Sequence, residues 1–182
     1  TSNSRIFAAG DVCSKYQFTN NADHQARIII RNTLFFGKGK AAPERIGRCT
    51  YTHPEIAHVG AEEAELDQQG VAYDVYEVEW DAMDRARTEG DLDGFVRVLS
   101  ETGKDKILSA TIVGADAGEQ IATLSVLLAN GEGLGKLDAA VLAYPTRSEY
   151  LRRLADAYNR TRLTPFVAGV CRKLLAWQRR RQ

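Results

Sequence analysis

The chain has 182 residues and a mass of 20.1 kDa, with 24 Lys and Arg against 24 Asp and Glu, 44% apolar residues and 8% aromatic ones. That length and apolar content suffice for a buried core and exclude disordered, collagen-like and disulfide-scaffold chains. The longest nearly uncharged apolar run, 121–129, is far short of the ~20 residues a membrane-spanning helix needs, and no basic-then-apolar leader opens the chain, so a cytoplasmic protein is expected.

Cys13, Cys49 and Cys171 provide neither a CxxC pair nor a zinc spacing. The zero net charge hides an asymmetry. From Ala143 onward there are ten Arg and Lys against Glu149 and Asp156, about +8, which leaves about −8 for the first 142 residues.

In chain order, Arg5-Ile6-Phe7-Ala8-Ala9-Gly10-Asp11-Val12 reads as a short apolar strand ending in Gly-Asp, and a strand that opens a chain so abruptly suggests a cut. Gly10 permits close backbone approach to a ligand. A carboxylate at a strand's C-terminal end, such as Asp11, can accept hydrogen bonds from sugar hydroxyls. By itself this is equally a plain strand-to-turn junction. Phe18-Thr19-Asn20-Asn21-Ala22-Asp23 then leads into helical spacing over 25–36, with Thr19 or Asn20 as the cap and the Gly-Lys-Gly-Lys turn at 37–40 as the stop. The amino end of such a helix offers unpaired N–H groups to an electron-rich ligand.

Further on, 48–52 reads as a strand and 52–55 as a proline-ended turn, and 56–60 leads into a helical stretch at 61–69 that Gly70 stops. Strands follow at 71–79, 94–100 and 106–114, with a polar short helix or loop at 81–89 and a hairpin connection at 101–105. A helix runs from about Asp116 to Asn130-Gly131. Antiparallel strands followed by helices make an α+β layer rather than a βαβ nucleotide unit. Its exposed apolar faces need a partner, and a twofold homodimer is expected, since obligate interfaces cover roughly 2,000 Å² or more.

Cys49, His53 and His58 lack a fourth ligand in any metal-binding pattern, so the histidines are read as structural hydrogen-bonding residues and no metal is expected. The Gly-rich run 130–136 is not a phosphate loop, because Leu137 stands where Ser or Thr should follow Lys136 and a helix precedes it. It is read as a helix end and turn. After Ala143-Tyr144-Pro145-Thr146-Arg147-Ser148-Glu149, a helix is predicted with the stripe Leu151, Leu154, Ala155 and Tyr158. Thr164 and Pro165 open another, with the stripe Val167, Val170, Leu174 and Trp177 and a basic end. That tail is read as a packed and solvated helix end. An anionic membrane surface or nucleic acid could attract it, but no nucleic-acid partner is expected and membrane contact is the weaker reading.

Four ordered segments carry a resemblance: IFAAGDV with the FTNNADHQAR helix, CTYTHPEIAHVG, VGADAGEQI and YPTRSE. Together, over about residues 5–165, they resemble the C-terminal portion of the FAD-dependent pyridine nucleotide-disulfide oxidoreductases, the family of dihydrolipoamide dehydrogenase, glutathione reductase and mercuric reductase. The resemblance implies a remnant of the FAD-binding domain at 1–42, a dimerisation domain at 43–165 and a basic amphipathic helix at 166–182. It assigns Gly10 and Asp11 to the ribityl and phosphate side of FAD, and it places Phe18, Thr19 and Asn20 beside the pyrimidine edge of the flavin. NAD(P)H is implied as co-substrate.

Tyr144-Pro145-Thr146 with Glu149 resembles the family's His-Pro-Thr-x-x-Glu, in which the His is an acid/base for a dithiol on the neighbouring subunit. Glu149 is retained, while Tyr144 replaces the His. A phenol with an ordinary pKa near 10 is a poor proton shuttle beside an imidazole near 6.5. Tyrosine here resembles mercuric reductase, although the tail carries the single Cys171 instead of a relay pair. No GxGxxG and no redox CxxxxC is present, so this chain alone is expected to be inactive and to hold little or no flavin. The competing reading is a stand-alone, non-catalytic dimerisation module.

Overall fold

The computed structural model describes residues 1–179. The strands β1 (Arg48–Thr50), β2 (Glu55–Gly60), β3 (Tyr73–Glu79), β4 (Phe95–Glu101) and β5 (Ile107–Gly114) form one antiparallel sheet in the order β1-β2-β5-β4-β3. Alternation sends Ala57, Val59, Val96, Val98, Ala110 and Ile112 to one face, and all are fully buried. Over that face lie α4 (Ala117–Ala129), which contributes Ile121 and Leu124, and α5 (Glu149–Arg162), which contributes Leu151, Leu154 and Tyr158. This is the α+β layer predicted from the sequence.

The opposite face is covered only in part. The short helix α2 (Glu63–Gln68) sits there, closed by its own capping box between Glu62 and Glu65, and Arg97 of β4 pairs with Glu63 at 2.8 Å. Ile56 and Val75 on the rest of that face remain exposed. Outside the sheet layer are α1 (Thr19–Leu34), α3 (Asp84–Glu89) and α6 (Pro165–Arg179). No helix among the described residues is long and apolar enough to cross a membrane.

Several expectations change. Residues 5–12 are not a strand but an irregular segment followed by a turn at 11–13, with Ile6, Phe7 and Val12 exposed. A β-strand is defined by its ladder, and no described strand pairs with this one. Neither Thr19 nor Asn20 caps α1. The N-cap is Phe18, and no side chain supplies the bond. β2 was not expected at 55–60, because its outward positions hold Ile56 and His58, which blurs the alternation. The helix expected at 61–69 shortens to α2. The Thr164 cap is present, its hydroxyl accepting from the Val167 N–H at 3.3 Å. The stripe of α6, however, is not packed: no residue of this helix is buried. Arg180 and Arg181 of the basic tail lie outside the described residues.

The turn into β4 tests the sheet. Gly94 has φ +112°, and a Cβ there would overlap the Val113 carbonyl of the neighbouring strand. Gly94→Ala is expected to lower unfolding stability by about 1–3 kcal/mol, read as a fall in the urea midpoint at unchanged slope.

Candidate functional site

α1 meets the sheet domain at its amino end. Asn20 donates through Nδ2 to the Gly47 carbonyl at 2.7 Å, which ties the helix to the chain just before β1. The buried Asn21 donates to Ser14 Oγ at 2.9 Å and to the Tyr16 carbonyl at 2.7 Å, folding the preceding loop against the helix. Gly10 is held to the same helix by its N–H, which donates to Gln25 Oε1 at 2.7 Å. A Cβ on Gly10 would stand 3.1 Å from that of Ala22, and φ is +82°, so glycine is needed here for both space and conformation. Asp11 lies beyond it in an exposed turn closed by the Cys13 N–H to the Gly10 carbonyl, 3.0 Å.

The amino end of α1 is electrically open. It has no side-chain cap and no acidic residue in its first turn, and the first of its N–H groups with an acceptor is that of Ala22, to Phe18 O at 3.1 Å. Phe18, Thr19 and Asn20 line a cleft of about 600 Å³ with Cys49 and Tyr51 and, from α4, Gly118 and Ile121. The structure therefore gathers Phe18, Thr19 and Asn20 at one cleft, with Gly10 packed on the same helix, while Asp11 is not among the residues of its wall. A second cleft of about 510 Å³ runs along α1 and is lined by His24, Arg31, Lys40 and Arg45. Lys40 and Arg45 come from the chain beyond α1 and His24 and Arg31 from the helix itself, and sequence spacing did not group them.

Glu55 is a residue the sequence reading missed. Its Oε2 accepts the Gly118 N–H at 3.0 Å, so the carboxylate stands at the positive amino end of α4. Cys49 lies beside it, at 3.8 Å from sulfur to the same oxygen. Burial first, and then the Glu55 carboxylate, pushes the Cys49 thiol up, which keeps it protonated and unreactive. No group of three or more possible metal ligands occurs among the described residues.

Tyr144 lies in the segment leading into α5, and Glu149 is the first residue of that helix. Tyr144 is exposed, and its hydroxyl donates to the Asp84 carboxylate on α3. That bond raises the phenol's pKa, so the group is a held proton donor and not a base. Glu149 is buried, and its Oε1 accepts from Arg153 at 2.8 Å and Arg152 at 3.2 Å, while Oε2 has no partner. The structure thus does not join Tyr144 and Glu149 by a hydrogen bond. Arg147 holds the loop between them. It pairs with Glu89 at 2.6 Å and Asp91 at 2.8 Å and lies 5.7 Å from the Trp80 ring centre. Asp84 and Glu89 fall in the stretch 81–89 read as a polar short helix or loop, and neither they nor Asp91 have a spacing that points to residue 147.

His58 has a structural role. Nδ1 is 2.8 Å from Thr111 Oγ1 and Nε2 is 3.3 Å from the Gly60 carbonyl. Burial, followed by the charge of Arg48, lowers its pKa to about 4. Since the unfolded chain, near 6.5, binds this proton first, stability should be full above about pH 6.5 and fall as the pH drops toward 4. Replacing His58 by Gln should flatten that part of the profile in urea titrations run at each pH; an unchanged slope would assign it to other groups.

The chain is similar to known proteins over most of its length. The family description "Pyridine nucleotide-disulphide oxidoreductase, dimerisation domain" matches residues 46–155. The mitochondrial dihydrolipoyl dehydrogenase of Dictyostelium discoideum is 33% identical over 85% of this chain and 32% of its own length, and that of Homo sapiens is 31% identical over 86% and 31%. Among solved structures, LpdA of Mycobacterium tuberculosis aligns with TM-score 0.74 at 25% identity, over 82% of this chain and 33% of its own. The HOCl-induced flavoprotein disulfide reductase RclA of Escherichia coli aligns with TM-score 0.70 at 25% identity, over 83% and 35%. The chain spans about a third of the length of these relatives.

Proposed function

The chain belongs to the pyridine nucleotide-disulphide oxidoreductase family through its dimerisation domain, and from that premise we propose that it forms the homodimer interface and part of the flavin site of an FAD- and NAD(P)H-dependent oxidoreductase. In this reading residues 43–165 are the dimerisation domain, 1–42 belong to the FAD-binding domain and 166–182 form an appended helix.

The observation that carries the proposal is α1. This 16-residue helix buries only Asn21, leaves Ile30 and Leu34 exposed, as is Phe35 just beyond it, and aims an uncapped amino end into the cleft against the dimerisation domain. A helix that buries so little supports itself poorly, and its apolar side suits a larger domain packed against it. Ile6 and Phe7, in the irregular segment before α1, are exposed in the same way, which suits a larger domain packed against them.

The residues fit a flavin. The free N–H groups at Thr19 and Asn20 are fixed dipoles suited to charge on the pyrimidine edge of the ring. Gly10 keeps its turn close to α1, which leaves the exposed Asp11 carboxylate free to accept from ribityl hydroxyls. Bound FAD supplies a two-electron carrier between NAD(P)H and the acceptor. Asp84 orients the Tyr144 hydroxyl and holds its proton, and Glu149 offers its unpaired oxygen from the first turn of α5. Tyr144 therefore acts as a mercuric reductase-like donor near the acceptor and not as a dithiol base. Cytoplasmic placement completes the proposal, with cell fractionation as its check.

Sedimentation of the chain at micromolar concentration is expected to show a dimer. A monomer throughout that range would overturn the interface assignment. In the protein assembled with its FAD-binding and NAD(P)-binding parts, Tyr144→His is expected to raise turnover with dithiol substrates by about 10²-fold, the low end of what a positioned acid/base contributes. Unchanged turnover would show that another group handles the proton.

A further inference from the structure

α6 stands apart from the rest of the chain. It lies beyond the family match at 46–155, and none of its residues is buried. At 100° per residue, Phe166, Val170, Leu174 and Trp177 share one face with Val167 beside them, while Arg172 and Arg179 fall on the opposite side and Lys173 at the border. Phe166 is 80% exposed, Leu174 54% and Trp177 51%. From Leu163 to the end the sequence carries five cations, Arg172, Lys173, Arg179, Arg180 and Arg181, and no carboxylate.

We propose that α6 docks on an anionic lipid surface, its apolar face sunk at the headgroup boundary and its cations against the lipid phosphates. Charge selects this occupant. Two copies of α6 paired across a twofold axis would bring cations together with no acid to offset them. Nucleic acid would engage the cations and leave the five-residue apolar face uncovered. A bilayer surface with acidic headgroups satisfies both faces at once, and an aromatic residue near the basic end suits the interface.

The test uses the full 182-residue chain with phosphatidylcholine vesicles, with and without phosphatidylglycerol. Trp177 is the reporter. The other tryptophan, Trp80, is fully buried and contributes a constant emission, which Trp177→Phe isolates. Phosphatidylglycerol vesicles are expected to shift Trp177 emission to the blue and to pellet the chain, and raised salt should reverse both effects. Leu174→Glu should abolish pelleting, and because it changes no buried position its far-UV circular dichroism should stay native. Arg172→Gln and Lys173→Gln should each weaken partitioning about fivefold, the factor carried by roughly 1 kcal/mol per cation at an anionic leaflet. Absence of pelleting, equal pelleting with pure phosphatidylcholine, or a Trp177 emission already blue without lipid and dependent on chain concentration would each overturn the proposal. The last result would assign the face to a second copy.

Discussion

Trp80 is the point on which the sheet, the helices over it and the tyrosine loop all depend. Its indole is fully buried, donates to the Val113 carbonyl of β5, and meets Tyr150 of α5 edge to face at 6.1 Å between ring centres. Only glycine is tolerated at Gly114, where a Cβ would run into the indole ring. On its other side Arg147 lies over the ring while its guanidinium pairs with Glu89 and Asp91. A partly buried cation with two carboxylates and an aromatic plane is a geometry that suits guanidinium and not a lysine ammonium. The loop bearing Tyr144 is therefore positioned by the core and not by its own exposed residues.

The layer over the sheet was legible in the sequence because its signals are periodic. Val96 and Val98, Ala110 and Ile112 alternate, and Leu151, Leu154 and Tyr158 recur at helical spacing, so strands and helix follow from burial on one side. β2 escaped because its outward Ile56 sits on a face that solvent only partly covers, which removes the polar half of the alternation. The segment 5–12 misled for the opposite reason. Its composition suits a strand, but strand structure needs a hydrogen-bonded neighbour, and composition cannot provide one. The site was legible only where a motif localised it. Phe18, Thr19 and Asn20 come together because they are neighbours in sequence, whereas Asp84, Glu89 and Asp91 reach the tyrosine loop across more than fifty residues through Arg147 and Tyr144.

That long-range arrangement bears on the chemistry the loop can support. Tyr144 and Glu149 are separated in function although they are five positions apart. The phenol is committed to Asp84, and one oxygen of Glu149 is committed to Arg152 and Arg153. In the His-Pro-Thr-x-x-Glu pattern a carboxylate that faces an imidazole favours its cationic form and so makes it a better base. A carboxylate bonded to a phenol acts in the opposite direction, because it stabilises the protonated donor and raises the pKa further from neutrality. The substitution at residue 144 and the position of Asp84 thus favour the same outcome: a hydroxyl that gives a hydrogen bond and keeps its proton. Glu149, at the start of α5 with one buried oxygen unpartnered, has capacity left to bind a donor from elsewhere.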